Sequence, residues 1–303
     1  MSHDPDWIAA DWGSTRLRLW AMAADGTRLA ERSSQPERAP RTPTEFETIL
    51  RALAGDWLER TGTIVACGML GAREGWLEAP YRPVPCAVAP AALTRAPVAA
   101  ADTRPALSLH VVSGLRQATP PDVMRGEETQ IAGFLAKNDG WDGVICLPGT
   151  HTKWAHVSAG EVVSFQTFMT GELFALLSEQ SILRHGVAEA GWDADAFADA
   201  LSDTISRPEK LAGKLFALRG GHLLDGMDPA TARARLSGLL IGAELAAAKP
   251  YWLGQNMALI GTDAVAHPYA EGLAAQGVTV LRADADDMTL AGLRAAHAQL
   301  AGA

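Results

Sequence analysis

Apolar and polar positions along the chain alternate in two rhythms. An apolar run, Ile8-Ala9-Ala10, enters a tight turn, Asp11-Trp12-Gly13-Ser14-Thr15, and the chain leaves as Arg16-Leu17-Arg18-Leu19-Trp20. Short apolar runs bounded by turn residues predict buried strands, and strict alternation predicts a strand with one polar face. The same patterns predict strands at Arg28 to Ser33, Thr63 to Cys67, Leu107 to Val112, Val144 to Leu147, Trp154 to Val157, Met257 to Ile260 and Val278 to Leu281. Helical spacing of apolar positions follows a capping box at Thr44 and Glu47, and runs from Phe46 to Leu58. Further helices are predicted from Arg125-Gly126-Glu127-Glu128 to about Asn138, from Gly171 to His185, from Asp228-Pro229 to Ala248, after Asp263, and from Asp286 onward. Residues 192–228 read as a helical excursion, and residues 79–106 are rich in Pro and Ala with little periodicity.

Strands alternating with helices predict an α/β fold. The composition turns linker-like between Ser113 and Pro121, which places a domain boundary there and predicts domains at residues 1–117 and 118–303. The two halves repeat. Gly13-Ser14-Thr15-Arg16 and Gly149-Thr150-His151-Thr152-Lys153 each follow an apolar strand and lead into another. Each outgoing strand then reaches a hairpin turn, at Asp25-Gly26 and at Ala159-Gly160. The spacing is 136 residues from Gly13 to Gly149 and 134 from Gly26 to Gly160. The expectation is two α/β domains of similar plan, with the donor-rich turns facing each other across a cleft. Gly238 and Gly242, four apart, predict close helix packing.

The chain has 303 residues, enough for two cores, and a net charge of −9. That charge argues against nucleic acid or an anionic membrane as a partner, and an anionic substrate would need locally placed Arg or Lys. Cys67, Cys86 and Cys146 show no metal-ligand spacing, and Cys67 and Cys146 read as buried thiols. The N-terminus has no basic segment followed by an apolar one, and no run of about 18 apolar residues occurs, so the cytoplasm is the expected compartment.

The common nucleotide and hydrolase signatures are missing: no GxxxxGK[ST], no GxGxxG opening a helix, no kinase HRD or DFG set, no HExxH, no GxSxG. What remains is a split phosphate site of two hairpin turns, since backbone N–H groups, hydroxyls and one carboxylate suit a phosphate chain and its metal ion. Four stretches now stand out: Ala10-Asp11-Trp12-Gly13-Ser14-Thr15, Gly68-Met69-Leu70-Gly71-Ala72-Arg73-Glu74-Gly75-Trp76, Arg125-Gly126-Glu127-Glu128-Thr129-Gln130 and Leu147-Pro148-Gly149-Thr150-His151-Thr152-Lys153-Trp154. With the later Gly261-Thr262-Asp263, they resemble the 2-dehydro-3-deoxygalactonokinase family of the actin/hexokinase/Hsp70-type ATPase superfamily.

That resemblance implies two duplicated actin-like (ribonuclease H-like) domains with a cleft, the use of ATP and Mg2+, and transfer of a phosphoryl group to 2-dehydro-3-deoxy-D-galactonate. It implies Asp11 as the carboxylate that holds Mg2+. It implies Gly13, Ser14 and Thr15 as the first phosphate turn, Gly149, Thr150, His151 and Thr152 as the second, and Gly261 and Thr262 as the adenosine turn. Glu127 matches the general base, where related sugar kinases carry Asp, and its neighbour Glu128 stands as the alternative. Arg73 and Arg125 are the candidates for the substrate carboxylate, since an Arg fork matches it bidentately. Trp76 either stacks on the sugar or packs. A second copy of the chain, in a homodimer, is carried as a candidate partner.

Overall fold

In the computed structural model the opening run forms the expected hairpin, because its residues bury on both faces. The structure describes residues 4–301 apart from 14–15, 37, 39, 90 and 99–104. Ser14 and Thr15 of the first expected phosphate turn thus lie outside the described residues. The strand Trp7–Trp12 pairs antiparallel with Leu17–Met22, setting Asp11 opposite Arg18. Among the described residues no helix is long and apolar enough to cross a membrane.

The chain forms two compact units. The first comprises Met1–Trp141, Ser158–Ser164 and Ala285–Ala303, the second Asp142–Val157 and Phe165–Asp284. The sheet of the first unit runs in the order Arg28–Ser34, Leu17–Met22, Trp7–Trp12, Thr63–Gly68, Ser108–Val112, Leu93–Arg95. Three antiparallel strands lead, and Thr63–Gly68 and Ser108–Val112 then continue parallel to Trp7–Trp12. Along the opening strand Ile8, Ala10 and Trp12 meet Phe46, Leu50 and Trp57 on one face, while Trp7 and Ala9 meet Leu290 and Leu293 on the other. A sheet covered on both faces needs a continuous apolar run, which is what the sequence carries.

The second unit has a sheet in the order Glu161–Phe168, Thr152–Ser158, Gly143–Leu147, Met257–Ile260, Val280–Ala283. Gly143–Leu147 is antiparallel to Thr152–Ser158 and parallel to Met257–Ile260, which is parallel to Val280–Ala283. Glu161 and Val162 belong to the first unit, where they pair with Ala87 and Cys86. Cys146, Trp154, Phe197, Leu245 and Leu273 share one core. The helices Ala194–Ser206 and Pro229–Ala247 cross as Gly238 and Gly242 predict: a Cβ on Gly242 would lie 2.7 Å from the Leu201 carbonyl.

Two expectations are corrected. Residues 113–121 are no linker: Gly114–Gln117 pairs antiparallel with Asp122–Met124, and the two join Tyr81–Pro83 in a small sheet. The first unit therefore runs past residue 117, through the helix Glu127–Lys137, and takes back the C-terminal helix Ala285–Ala301. These two helices touch at their backbones, because a Cβ on Gly133 would run into the Met288 carbonyl and one on Gly292 into the Thr129 carbonyl. The first helix also starts earlier than its expected box, at Pro43. Thr42 caps it by accepting the Glu45 N–H at 3.3 Å, and Glu45 accepts the Arg41 N–H at 2.7 Å. Pro at the first helical position, with its φ already set, favours that start.

Candidate active site

The end of the opening strand carries the first group. Asp11 Oδ2 accepts from Arg18 at 2.7 Å, and the buried Cys67 thiol lies 3.6 Å from Oδ1. Arg18 also pairs with Asp286 at the head of the C-terminal helix and lies over the Trp20 ring. One guanidinium thus serves two carboxylates. The turn beyond Asp11 closes through the Gly13 N–H on the Arg16 carbonyl at 2.8 Å, and Arg16 itself reaches Ser33 at the surface.

The glycine-rich loop follows the strand Thr63–Gly68. Gly68 has a φ of +94° and approaches the Trp12 carbonyl so closely that a Cβ has no room. Of the three substrate candidates Arg73 is 78% exposed, with a 3.4 Å surface contact to Glu78. Trp76 is a correction to the stacking option. It is 2% exposed and donates to the Pro97 carbonyl at 2.8 Å, so it packs in the core. Arg125 is planted beneath the loop. It donates to the Ala79 carbonyl at 2.7 Å and to the Tyr81 hydroxyl at 3.3 Å, over the Tyr81 ring. Its Nη1 is buried without a partner, at 2.8 Å from where a Gly71 Cβ would be.

Gly126, at a φ of +106°, bends the chain into the helix Glu127–Lys137. Glu127 is partly exposed, and its Oε2 accepts the Arg125 N–H at 3.1 Å. Glu128 is 1% exposed; it accepts the Gly126 N–H at 2.7 Å and the Thr129 hydroxyl at 3.0 Å. Burial, and then the neighbouring Glu127, push the Glu128 carboxyl up to about 7.

The second unit contains a cavity of about 960 Å³ at the ends of its parallel strands. Pro148, Gly149 and Thr150 form one wall, Thr170 and Gly171 another, and Asp263 to Val265 with His267 to Tyr269 a third. Gly171 is required: a Cβ there would strike the Gly149 carbonyl, and the next N–H, of Glu172, donates to the Thr150 carbonyl at 3.0 Å. The remaining members of the second turn point elsewhere. His151 is half exposed and bonded to Glu172 at 2.6 Å, and Lys153 is buried with Nζ on the His151 carbonyl. Thr152 is a correction as a hydroxyl donor to phosphate, because its side chain is buried and bonded to the Tyr269 hydroxyl at 2.9 Å. Tyr269 and the Trp154 indole both donate to buried Glu244, each at 2.7 Å. Gly261 and Thr262 do not line the cavity but lead into it, since Thr262 is the residue just before the helix Asp263–Ala275.

Sequence reasoning missed part of this lining. Arg233, Ser237, Leu240 and Ile241 reach the cavity from one face of the long helix Pro229–Ala247. The spacing of four, three and one was readable as a helical face; that the face borders a cavity was not. Trp192, Phe174 and Arg282 complete the wall, with Arg233 over the Phe174 ring and Arg282 bonded to Asp263 at 2.7 Å.

A Mg2+ ion usually keeps several waters and takes one or two carboxylates together with substrate phosphates. Among the described residues no group of three or more His, Cys, Asp or Glu forms a cage, and Asp11 offers a single carboxylate beside its turn. The donor set fits an ion carried mainly by phosphate and water.

The family model for 2-keto-3-deoxy-galactonokinase matches residues 11–296, starting at Asp11 and spanning both turns. The chain belongs to this family. It is 40% identical over 297 residues to the "Probable 2-dehydro-3-deoxygalactonokinase DgoK1" of Rhizobium meliloti (strain 1021), covering 96% of each chain. It is 32% identical to the 2-dehydro-3-deoxygalactonokinase of Escherichia coli (strain K12), covering 96% of this chain and 98% of that one. A crystal structure from Sinorhizobium meliloti assigned to 2-dehydro-3-deoxygalactonokinase aligns with a TM-score of 0.88 at 39% identity, over 97% of this chain and 99% of the other. The fold is the α/β sugar-kinase fold related to the actin/hexokinase/Hsp70 ATPases.

Proposed function

We propose that the residues placed above divide the family's reaction among them as follows. The activity is ATP-dependent phosphorylation of 2-dehydro-3-deoxygalactonate. Glu127 takes the proton of the terminal hydroxyl, whose oxygen forms the new bond to the γ-phosphorus as the bond to ADP breaks, giving the 6-phosphate. The observation that carries this assignment is the contrast at the helix start: Glu127 is partly exposed, whereas Glu128 is sealed at 1% exposure and has no path to a hydroxyl in solution. Most of the acceleration in such a transfer comes from positioning and charge neutralisation, with the base aligning the nucleophile.

The cavity of the second unit takes the nucleotide, with Gly149 and Thr150 beside the phosphates and the stretch after Gly261-Thr262 beside the adenosine. Its size and its basic and aromatic lining support that reading. Gly13, Ser14 and Thr15 belong to the same phosphate-binding function. Asp11 would hold Mg2+, which when bound offsets the phosphate charge. Arg73 takes the substrate carboxylate, because Arg125 already holds the loop from below. The two units are read as duplicated domains, supported by the matching strand orders of their sheets and the paired glycine turns.

A coupled ADP-release assay over a panel of keto-deoxy sugar acids tests the reading. The expected result is turnover with 2-dehydro-3-deoxygalactonate and a fall of at least about 10²-fold in Glu127→Ala with nucleotide binding kept. ADP release that ignores every sugar acid would sink it.

A further inference from the structure

Two carboxylates hold the bend before the helix Glu127–Lys137. The Arg125 N–H goes to Glu127 and the Gly126 N–H to Glu128, so neighbouring donors are satisfied by neighbouring acids. Such N–H groups at a helix start have no partner within the helix. The bend itself is tight: Gly126 sits at a φ of +106°, and its missing Cβ would lie 3.5 Å from the Gly68 Cα at the root of the glycine-rich loop. Whatever holds Gly126 therefore also sets where Glu127 stands against that loop.

We propose that Glu128 is a positioning residue for the phosphoryl transfer: from inside the first unit it holds the Arg125–Gly126 bend and so places the Glu127 carboxylate, without meeting the sugar acid itself. The inference rests on the reading of Glu127 as the base. Glu128 is well suited to the task because every oxygen is committed, one to Gly126 and the other to the Thr129 hydroxyl. Its surroundings are closed. The Cys67 thiol, on the strand Thr63–Gly68, is bonded to Thr129, feels the charges of Asp11 and Glu128, and lies 3.6 Å from Asp11 Oδ1. The C-terminal helix brings Met288, Thr289 and Gly292 against the same helix, through contacts with Gly133, Gln130 and Thr129, none of them charged.

An amide could span the same two partners only with one bond reversed, its oxygen accepting the Gly126 N–H and its NH2 donating to the Thr129 hydroxyl. A buried carboxyl without a cationic partner is costly in its charged form, so the acid adds something the hydrogen bonds alone do not need. What it adds is an ionisable neighbour to Glu127. With the Glu128 carboxyl pushed up to about 7, turnover responds to its ionisation near neutrality.

The test is kcat and both KM values against pH for the full chain and for Glu128→Gln, Glu128→Ala and Glu127→Gln, with ATP and 2-dehydro-3-deoxygalactonate. Glu128→Gln keeps the shape and loses the ionisation. It is expected to leave both KM values within about threefold, lower kcat about tenfold and erase the inflection near neutrality, while Glu128→Ala loses the bend as well and falls about 10²-fold in kcat. If Glu128→Ala does not fold, the isosteric Gln variant carries the test alone. Wild-type kcat and pH profile in Glu128→Gln, with Glu127→Gln inactive, overturn this inference and leave the base where it is. An active Glu127→Gln beside an inactive Glu128→Gln overturns both, moving the base to Glu128.

Discussion

Adjacent residues of this chain can sit in opposite environments. Glu127 and Glu128 are chemically the same; one is at the surface and the other sealed among Cys67, Thr129 and the helix start. Arg73 and Arg125 split in the same way. Arg73 is exposed in the loop, while Arg125 is bonded to Ala79 and Tyr81. Hydrogen bonds to a charged group are worth about 1.5–3 kcal/mol each, so removing a carboxylate clamp raises KM by roughly 10- to 100-fold. Arg73→Ala is expected to raise KM for the sugar acid by about that factor with kcat little changed. Trp76→Phe, which removes the bond to the Pro97 carbonyl and leaves a small cavity where the larger indole packed, is expected to lower stability by about 2–3 kcal/mol and leave KM unchanged. Steady-state kinetics and urea unfolding of the two variants separate the roles; an unchanged KM in Arg73→Ala would move carboxylate binding elsewhere.

At the scale of elements, the second unit's cavity depends on two glycines touching. The turn Pro148 to Thr150 and the start of the helix Thr170–Ala175 meet where Gly171 leaves no room for a Cβ against the Gly149 carbonyl. Beneath them Glu244 receives Trp154 and Tyr269, and Tyr269 reaches Thr152, so the strand, the long helix and the helix Asp263–Ala275 are tied by one buried polar network. Overpacking of the glycine contact costs about 1–3 kcal/mol and must push the turn outward. Gly171→Ala is therefore expected to raise KM for ATP about tenfold or more while the far-UV spectrum stays native. An unaltered KM for ATP would show that the turn does not carry the phosphates. The hydroxyl pattern of this turn was legible in the sequence, but the inward rotation of Thr152 was not, because strand alternation sets two faces without saying which is covered.

For the molecule as a whole, stability and pH are linked through the buried acid. The Glu128 carboxyl has an ordinary value of 4.5 and is pushed up to about 7 in the folded chain, first by burial and then by Glu127. A raised acid contributes stability that is full below the unfolded value and is lost as pH rises through the folded one. Each pH unit between those two values is worth about 1.4 kcal/mol, so the native chain is expected to lose about 3–4 kcal/mol at most between roughly pH 4.5 and 7. Glu128→Gln should flatten that slope, which urea midpoints measured across the interval would read; the same slope in the variant would assign it to another group. Glu244, raised in the same direction by burial, adds to the trend without depending on Glu128.

The main strands, the two glycine turns, the acidic helix start and the family resemblance are legible in the sequence, because these are local: apolar periodicity, turn chemistry and short motifs act within a few residues of where they are read. The sequence also determined that Gly238 and Gly242 meet a helix. The rest depended on contacts between segments far apart in the chain. Consecutive helix residues point about 100° apart, so Glu127 and Glu128 meet different surroundings. Which of them is buried follows from how this helix packs, and one side of it is set by the C-terminal helix, more than 150 residues away in sequence, closing on Thr129 and Gly133. The same long-range contact drew the helix Glu127–Lys137 into the first unit and moved the boundary away from residue 117. A contact between backbones that distant leaves only two glycines as its trace in the sequence, and no local pattern pairs them.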